Sequence, residues 1–199
     1  MDILKNIFLL IVAFILGSIP FGIIVAKAKG VDLKKVGSGN IGATNVLRLL
    51  GKWLAVLTLL GDIGKGTLSV AIGRYCGAGS AYEGLIGIAA IFGHNFSVFL
   101  GFKGGKGVAT SLGVLLLYTP KAALCTIMIW LVVAIATKYS SLGAMVSFGL
   151  LPVNILLFDP NSTEKLPAAI LITLFILLRH KDNMQRLIQG TERKIGQRG

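Results

Sequence analysis

Charge is scarce in this chain. Only 14% of its 199 residues are Asp, Glu, Lys or Arg, against roughly 25% in soluble domains. A water-soluble fold of this length would lack the polar side chains to cover its exterior, which excludes the soluble globular class. Cysteine is also rare. Cys76 and Cys125 lie in different segments, a spacing that excludes a paired metal or redox motif and leaves both as structural residues. No cleavable leader is expected. The chain turns apolar at Ile3 with no long basic stretch and no Ala-x-Ala site, and the run passes through Gly17-Ser18-Ile19-Pro20 to Ala26, so the first segment is expected to be retained. No internal repeat of useful length is visible, which weighs against an inverted-repeat transporter.

What is present is hydrophobic residue, at 54%, with a mean hydropathy of +0.81. The expectation is an all-α, polytopic integral membrane helix bundle, built as a single domain over 1–199. About 20 apolar residues cross a hydrocarbon core as a helix. Segments 3–26, 53–73, 84–100 and 141–158 approach or meet that length, and 108–119, 122–137 and 167–178 are shorter. The count is seven segments, or five full spans plus a re-entrant hairpin at 108–137. Either count puts the chain ends on opposite sides.

The 20 basic residues outnumber the eight acidic ones, for a net charge of +12. With the N-terminus outside, 15 cations fall in inner loops, from Lys27 to Arg198. Only Lys5, Arg74, Lys121 and Lys165 fall outside. The positive-inside rule therefore predicts N-out, C-in. Because the basic residues sit in short loops between apolar segments, the expected partners are membrane lipid and anionic substrates, with no nucleic acid.

Three polar stretches fall on the inner side. In Val36-Gly37-Ser38-Gly39-Asn40-Ile41-Gly42-Ala43-Thr44-Asn45, two glycines flank a serine and permit positive φ. Their successive N–H groups suit an anion nest, a helix is expected from Ile41 onward, and Arg48 adds a planar fork for phosphate. A solvated turn before an amphipathic helix is the alternative. Gly101-Phe102-Lys103-Gly104-Gly105-Lys106-Gly107 is glycine-rich and basic and leads into a helix, which suits an anion. It fails the Walker A spacing, and no dinucleotide fingerprint is present. The alternative here is an ordinary basic loop. In the third stretch, continuation of the 167–178 helix would set Arg179, Asn183 and Arg186 on one face, ahead of Gly190-Thr191-Glu192. A helix end resting on anionic lipid is the competing explanation. Asp62 and Lys65 stand three apart within a span, paired or near the site, and His94-Asn95 precedes the second loop as a packing or supporting residue.

The three strings, together with Gly17-Ser18-Ile19-Pro20-Phe21-Gly22 and Asp62-x-x-Lys65-Gly66, resemble the motifs of the bacterial acyl-phosphate:glycerol-3-phosphate acyltransferases, the PlsY family, along the whole chain. The resemblance implies seven spans in the bacterial inner membrane and an active site open to the cytoplasm. It implies acyl transfer from acyl phosphate to the 1-hydroxyl of glycerol 3-phosphate, with no metal or cofactor. By motif position, Ser38, Arg48, Lys106, His180 and Asn183 would surround the reacting groups. Gly37, Gly39, Asn40, Thr44, Asn45, His94 and Glu192 would join the substrate contacts, and Lys103, Gly104, Gly105 and Gly107 would hold the donor phosphate. The enzyme that produces acyl phosphate is a candidate partner. A transporter for an organic anion or phosphate ester is the competing function, and a lipid-binding structural subunit is a third.

Overall fold

The computed structural model describes residues 2–197 (Asp2 by its backbone alone). Arg198, counted among the inner cations, lies outside the described residues. The described chain is helical throughout, with no strand: α1 (Asp2–Ser18), α2 (Phe21–Lys27), α3 (Ala43–Leu50), α4 (Lys52–Tyr75), α5 (Ser80–Asn95), a 3-10 turn (Val98–Leu100), α6 (Val108–Tyr118), α7 (Pro120–Thr137), α8 (Ser140–Gly149), α9 (Leu151–Phe158), α10 (Ser162–Arg179) and α11 (Lys181–Ile188).

All seven apolar segments are helical, but three are interrupted, one of them the 84–100 segment, between α5 and the 3-10 turn. Pro20 lacks an N–H and separates α1 from α2, so Ile3–Lys27 is one apolar stretch with an interruption near its C-terminal end. The chain bends by 45° between α8 and α9, where Leu150 and Pro152 follow Gly149. By length and composition, four helices among the described residues can cross a membrane, or five if the bent pair counts as one. Helix α6, with 11 residues, rises only about 16 Å and is packed inside the bundle against α4 and α5. Helix α10 carries Glu164, Lys165 and Arg179 at its ends.

Lipid tails are as apolar as leucine, so helix association there rests on close packing of small residues. The contacts follow that rule. A Cβ at Gly17 would overlap the backbone of Ala90 on α5, and one at Gly93 would overlap the Phe14 carbonyl on α1. Across α4 and α6, Gly66 meets the Thr110 carbonyl and Gly113 meets that of Ile63. Val70, Ile91, Val114, Leu115, Phe148, Ile155, Ile172 and Ile176 fill the centre from six helices. Leucines, isoleucines and Trp53 cover the outside.

The two ends of the bundle differ. At one end, ion pairs and carbonyl contacts staple the helix termini: Arg74 to Glu83 at 2.7 Å and to the Leu117 carbonyl at 2.9 Å, and Lys165 to Asp159 and to the Tyr118 carbonyl. At the other end lie the 28–42 and 96–107 loops, the Tyr139 turn and the segment after α10.

Replacing Gly17 with valine should wedge α1 from α5 and lower stability by about 1–3 kcal/mol. Gly64→Ala, which meets open space, should be neutral or slightly stabilising. Thermal unfolding of the two purified variants in one detergent checks this.

Candidate active site

The first loop is organised by one side chain. Asn45, buried in the first turn of α3, accepts the Ser38 N–H at 3.0 Å through Oδ1. Through Nδ2 it donates to the carbonyls of Asn40 at 2.9 Å, Val36 at 3.3 Å and Leu33 at 3.5 Å. The flanking glycines take φ 65° at Gly37 and 69° at Gly39, as expected from the sequence. The helix starts at Ala43, with Gly42 as its cap, two residues later than expected. Two of the N–H groups expected in an anion nest are already taken. The Ser38 N–H is spent on Asn45, and the Gly39 N–H on Val36 O, because a folded loop must satisfy its own donors. Leu33, Ile41 and Val46 pin the loop to α2 and α4 through a small apolar cluster.

The second loop is folded back on the end of α5. Gly104 N–H donates to Asn95 O at 3.1 Å and Gly105 N–H to His94 O at 3.0 Å. From the other side, the Arg179 guanidinium donates to the carbonyls of Gly104 and Gly105 at 2.8–3.1 Å. The Gly104 and Gly105 peptides are therefore consumed by the fold. What the loop presents is Lys106, whose ammonium donates to Asn183 Oδ1.

The third stretch does not continue α10. The helix ends at Arg179, and His180 is the joint to α11. The break sends Arg179 to the glycine loop and leaves Asn183 and Arg186 facing Glu192. The Glu192 carboxylate accepts from Asn183 Nδ2 at 2.6 Å, Ser141 at 2.7 Å and Arg186 Nε at 2.7 Å. Arg48 donates to the Arg193 carbonyl at 3.1 Å, and the Ile195 N–H to Lys138 O at 2.7 Å. The segment after α11 thus straps α3, α8 and α11 together.

These segments enclose a polar cleft of about 220 Å³, lined by Ser38, Gly39 and Asn40, by Lys106, and by Leu178, Arg179, Lys181, Asp182, Asn183 and Arg186. Four of its ten lining residues are basic and one is acidic, so it suits an anion. Burial pushes the Lys106 ammonium down to about 8, with Glu192 pulling it up and Arg186 pushing it down. Burial also lowers Arg48, with Glu192 acting against it. His180 is buried and held down to about 4, first by desolvation and then by Lys106. Its Nδ1 lies 2.8 Å from the Ile176 carbonyl, which assigns the proton to that nitrogen. Burial pushes Glu192 up, but its hydrogen bonds from Ser141, Arg186 and Asn183 hold it below the ordinary range.

Residues 7–190 match the glycerol-3-phosphate acyltransferase family. The chain belongs to that family. Proteins named glycerol-3-phosphate acyltransferase from Neisseria gonorrhoeae and Trichlorobacter lovleyi are 46% and 43% identical to it, over 97% and 92% of this chain and 98% and 94% of theirs. The crystal structure of PlsY (YgiH), an integral membrane glycerol 3-phosphate acyltransferase in its glycerol 3-phosphate form, superposes with a TM-score of 0.90 at 41% identity, covering 96% of both chains. Its lysophosphatidic acid form superposes at 0.89.

Within this acyltransferase-family fold, Ser38, Gly39, Asn40, Lys106 and Asn183 line the cleft. Arg48 is held behind it by the strap. Glu192 lies under Asn183, and His180 is buried at the joint. Asn45 and Gly37 build the loop from inside, with a Cβ at Gly37 directed into the Asn45 carboxamide. Thr44 is half-buried on α3, and Lys103 is exposed; neither lines the cleft. Gly104, Gly105, Gly107 and His94 lie beneath it. Five lining residues carried no expected role: Leu178, Arg179, Lys181, Asp182 and Arg186. Of these, Arg179 and Arg186 had a signal in the sequence, their three-and-four spacing with Asn183. The clamp of Arg179 on a loop 74 residues away has none.

Asn45→Ala should cost about 1–3 kcal/mol and loosen the first loop. The check is a lower melting temperature together with faster tryptic cleavage after Lys34 and Lys35.

Proposed function

We propose that this chain transfers a fatty acyl group from acyl phosphate to the 1-hydroxyl of sn-glycerol 3-phosphate, giving lysophosphatidic acid and inorganic phosphate, the first step of phospholipid synthesis. It works as one integral membrane domain, crossing the bacterial inner membrane seven times with its N-terminus out and its cleft facing the cytoplasm. The observation that carries the reading is the gathering of Ser38–Asn40, Lys106 and the 178–186 segment around one cationic cleft at one end of an apolar bundle. The related glycerol-3-phosphate acyltransferases and the glycerol 3-phosphate and lysophosphatidic acid forms of PlsY agree with it. The concentration of cations at the cleft end supports the orientation.

The chemistry asks little of the protein. An acyl phosphate is a mixed anhydride with a good leaving group. The glycerol 3-phosphate hydroxyl oxygen attacks the carbonyl carbon, the bond from that carbon to the phosphate oxygen breaks, and the hydroxyl proton passes to a substrate phosphate. Ser38, Lys106 and Asn183 contact the two substrates, with Arg48 and His180 around them. Their main work is to bring two anions together, and such positioning supplies roughly 7–11 kcal/mol of a barrier. Lys106 offsets phosphate repulsion and the charge that develops on the carbonyl oxygen. The fatty tail stays in the bilayer, so no soluble carrier is required, and the enzyme that makes acyl phosphate is a partner at the same membrane face.

Two observations favour direct attack over base catalysis or an acyl-enzyme. A His180 held at about 4 is a weak base at neutral pH. Among the described residues, Ser38 Oγ has no hydrogen-bond partner that would activate it.

Purified protein in detergent should release phosphate from acyl phosphate only when glycerol 3-phosphate is added, with no labelled acyl chain trapped on Ser38. Arg48→Ala should chiefly raise KM for glycerol 3-phosphate. Uptake into vesicles without chemical change would point instead to transport.

The pH dependence has a definite sign. Lys106 is charged below about 8 and neutral above it, whereas a phosphate monoester is already dianionic there, its second pKa lying near ~6. KM for glycerol 3-phosphate should therefore climb as pH rises past about 8. In Lys106→Arg, whose charge persists, the climb should vanish even if the basal rate is lower.

A further inference from the structure

We infer that Asp62 and His94, backed by Lys65, form a buried strut that sets the position of the glycine loop carrying Lys106. They are positioning residues for the acyl transfer proposed here, on which the inference rests, and not substrate contacts.

The three side chains are at most 4% exposed and are absent from the lining of the cleft. Lys65 Nζ lies 2.9 Å from Asp62 Oδ1 and donates to the Ile19 carbonyl at 2.7 Å. That carbonyl stands at the Pro20 break between α1 and α2. His94 Nδ1 lies 3.5 Å from the same Asp62 oxygen. A lysine and an aspartate three apart on one helix can neutralise each other without a third partner. Here the pair reaches two other elements, the break in the first span and the end of α5. Ionisable groups at this depth are expensive, and apolar packing would hold the helices as well or better. Their presence calls for a task beyond cohesion.

The task is visible on the far side of the imidazole. With Nδ1 turned to the carboxylate, His94 Nε2 points at the second loop. A methyl group on Gly105 would overlap Nε2, and the other nearest atoms are also of the His94 ring. Gly105 does not adopt the left-handed conformation, so its backbone accepts alanine. The nearest obstacle is the imidazole. Gly104 differs: a Cβ there would overlap the backbone of His94 and Asn95. The Gly104-Gly105 unit is thus held between the His94 ring below and the Arg179 guanidinium above, and Lys106 is the next residue. Tilting the ring moves the ammonium. The carboxylate meets the ring through a 3.5 Å electrostatic contact rather than a hydrogen bond, and Lys65 is paired with that carboxylate at 2.9 Å.

A displacement on the order of 1 Å can cost about 100-fold in rate, and this scale sets the expected effects. The test uses the full chain in detergent with acyl phosphate and glycerol 3-phosphate. Gly105→Ala alone should lower kcat/KM by about 10- to 100-fold. In a His94→Ala background the same substitution should cost less than about twofold, because the obstacle is gone. Gly104→Ala should remain as damaging in either background. Added imidazole should restore part of the activity of His94→Ala and leave wild type and Lys106→Ala unaffected. If His94→Ala is not recovered folded, His94→Gln takes its place in the pair. Additive losses for Gly105→Ala and the His94 variant, or an equal relief of Gly104→Ala, would overturn the strut. Wild type inactive with both substrates would instead overturn the proposed reaction and the strut with it. An active wild type with additive variants sinks the strut alone.

Discussion

Hydrocarbon offers no hydrogen bonds, and the whole architecture answers that constraint. Polar backbone groups placed inside the bundle are costly unless they find a partner in the protein. Glycines bring backbones into contact where side chains would hold them apart, so carbonyls exposed at helix breaks can be met by neighbours. Lys65 reaches the carbonyl left at the Pro20 interruption, and the Ser97 hydroxyl takes that of Ser18 at 2.6 Å. The motif around Gly17–Gly22 is therefore a junction of α1, α2, α4, α5 and the first loop, and the first span is broken there because the junction needs free carbonyls.

The same economy shapes the cleft. Glycine-rich loops invite the idea that backbone N–H groups cradle phosphate. In each loop the fold has already used two of those donors, on Asn45 and Val36 in the first and on His94 and Asn95 in the second. Side chains supply the cations of the cleft, and Gly104 and Gly105 serve close packing. Because the loops are anchored internally, Lys106 and Ser38 are held ready before substrate arrives, which lowers the ordering cost of binding.

Charge around the cleft is balanced by two carboxylates, Asp182 in its lining and Glu192 behind it. Glu192 sits below Asn183 and beside Arg186 and satisfies four groups' worth of demand with Ser141 and, through space, Lys106. Without it, cations drawn together by three segments would repel one another in a medium of low dielectric. Its position at the strap links the end of α11 to α3 and α8, so the electrostatic balance and the closure of the site are one feature.

The amino-acid sequence alone determined the solvent, the helical class, the seven apolar segments and the membership of the three polar motifs. Hydrophobic run length, cation placement and glycine spacing are local properties that lipid and backbone sterics read directly. Tertiary structure alone decided which motif residues face the cleft. Thr44 and Lys103 stand in the right strings and miss it, and His94 lies under the loop it precedes. Arg179 reaches a loop far away in sequence, and His180 becomes a buried joint because α10 stops at Arg179. These outcomes depend on how helices seal one another's loose carbonyls across long chain distances, and no local pattern encodes that.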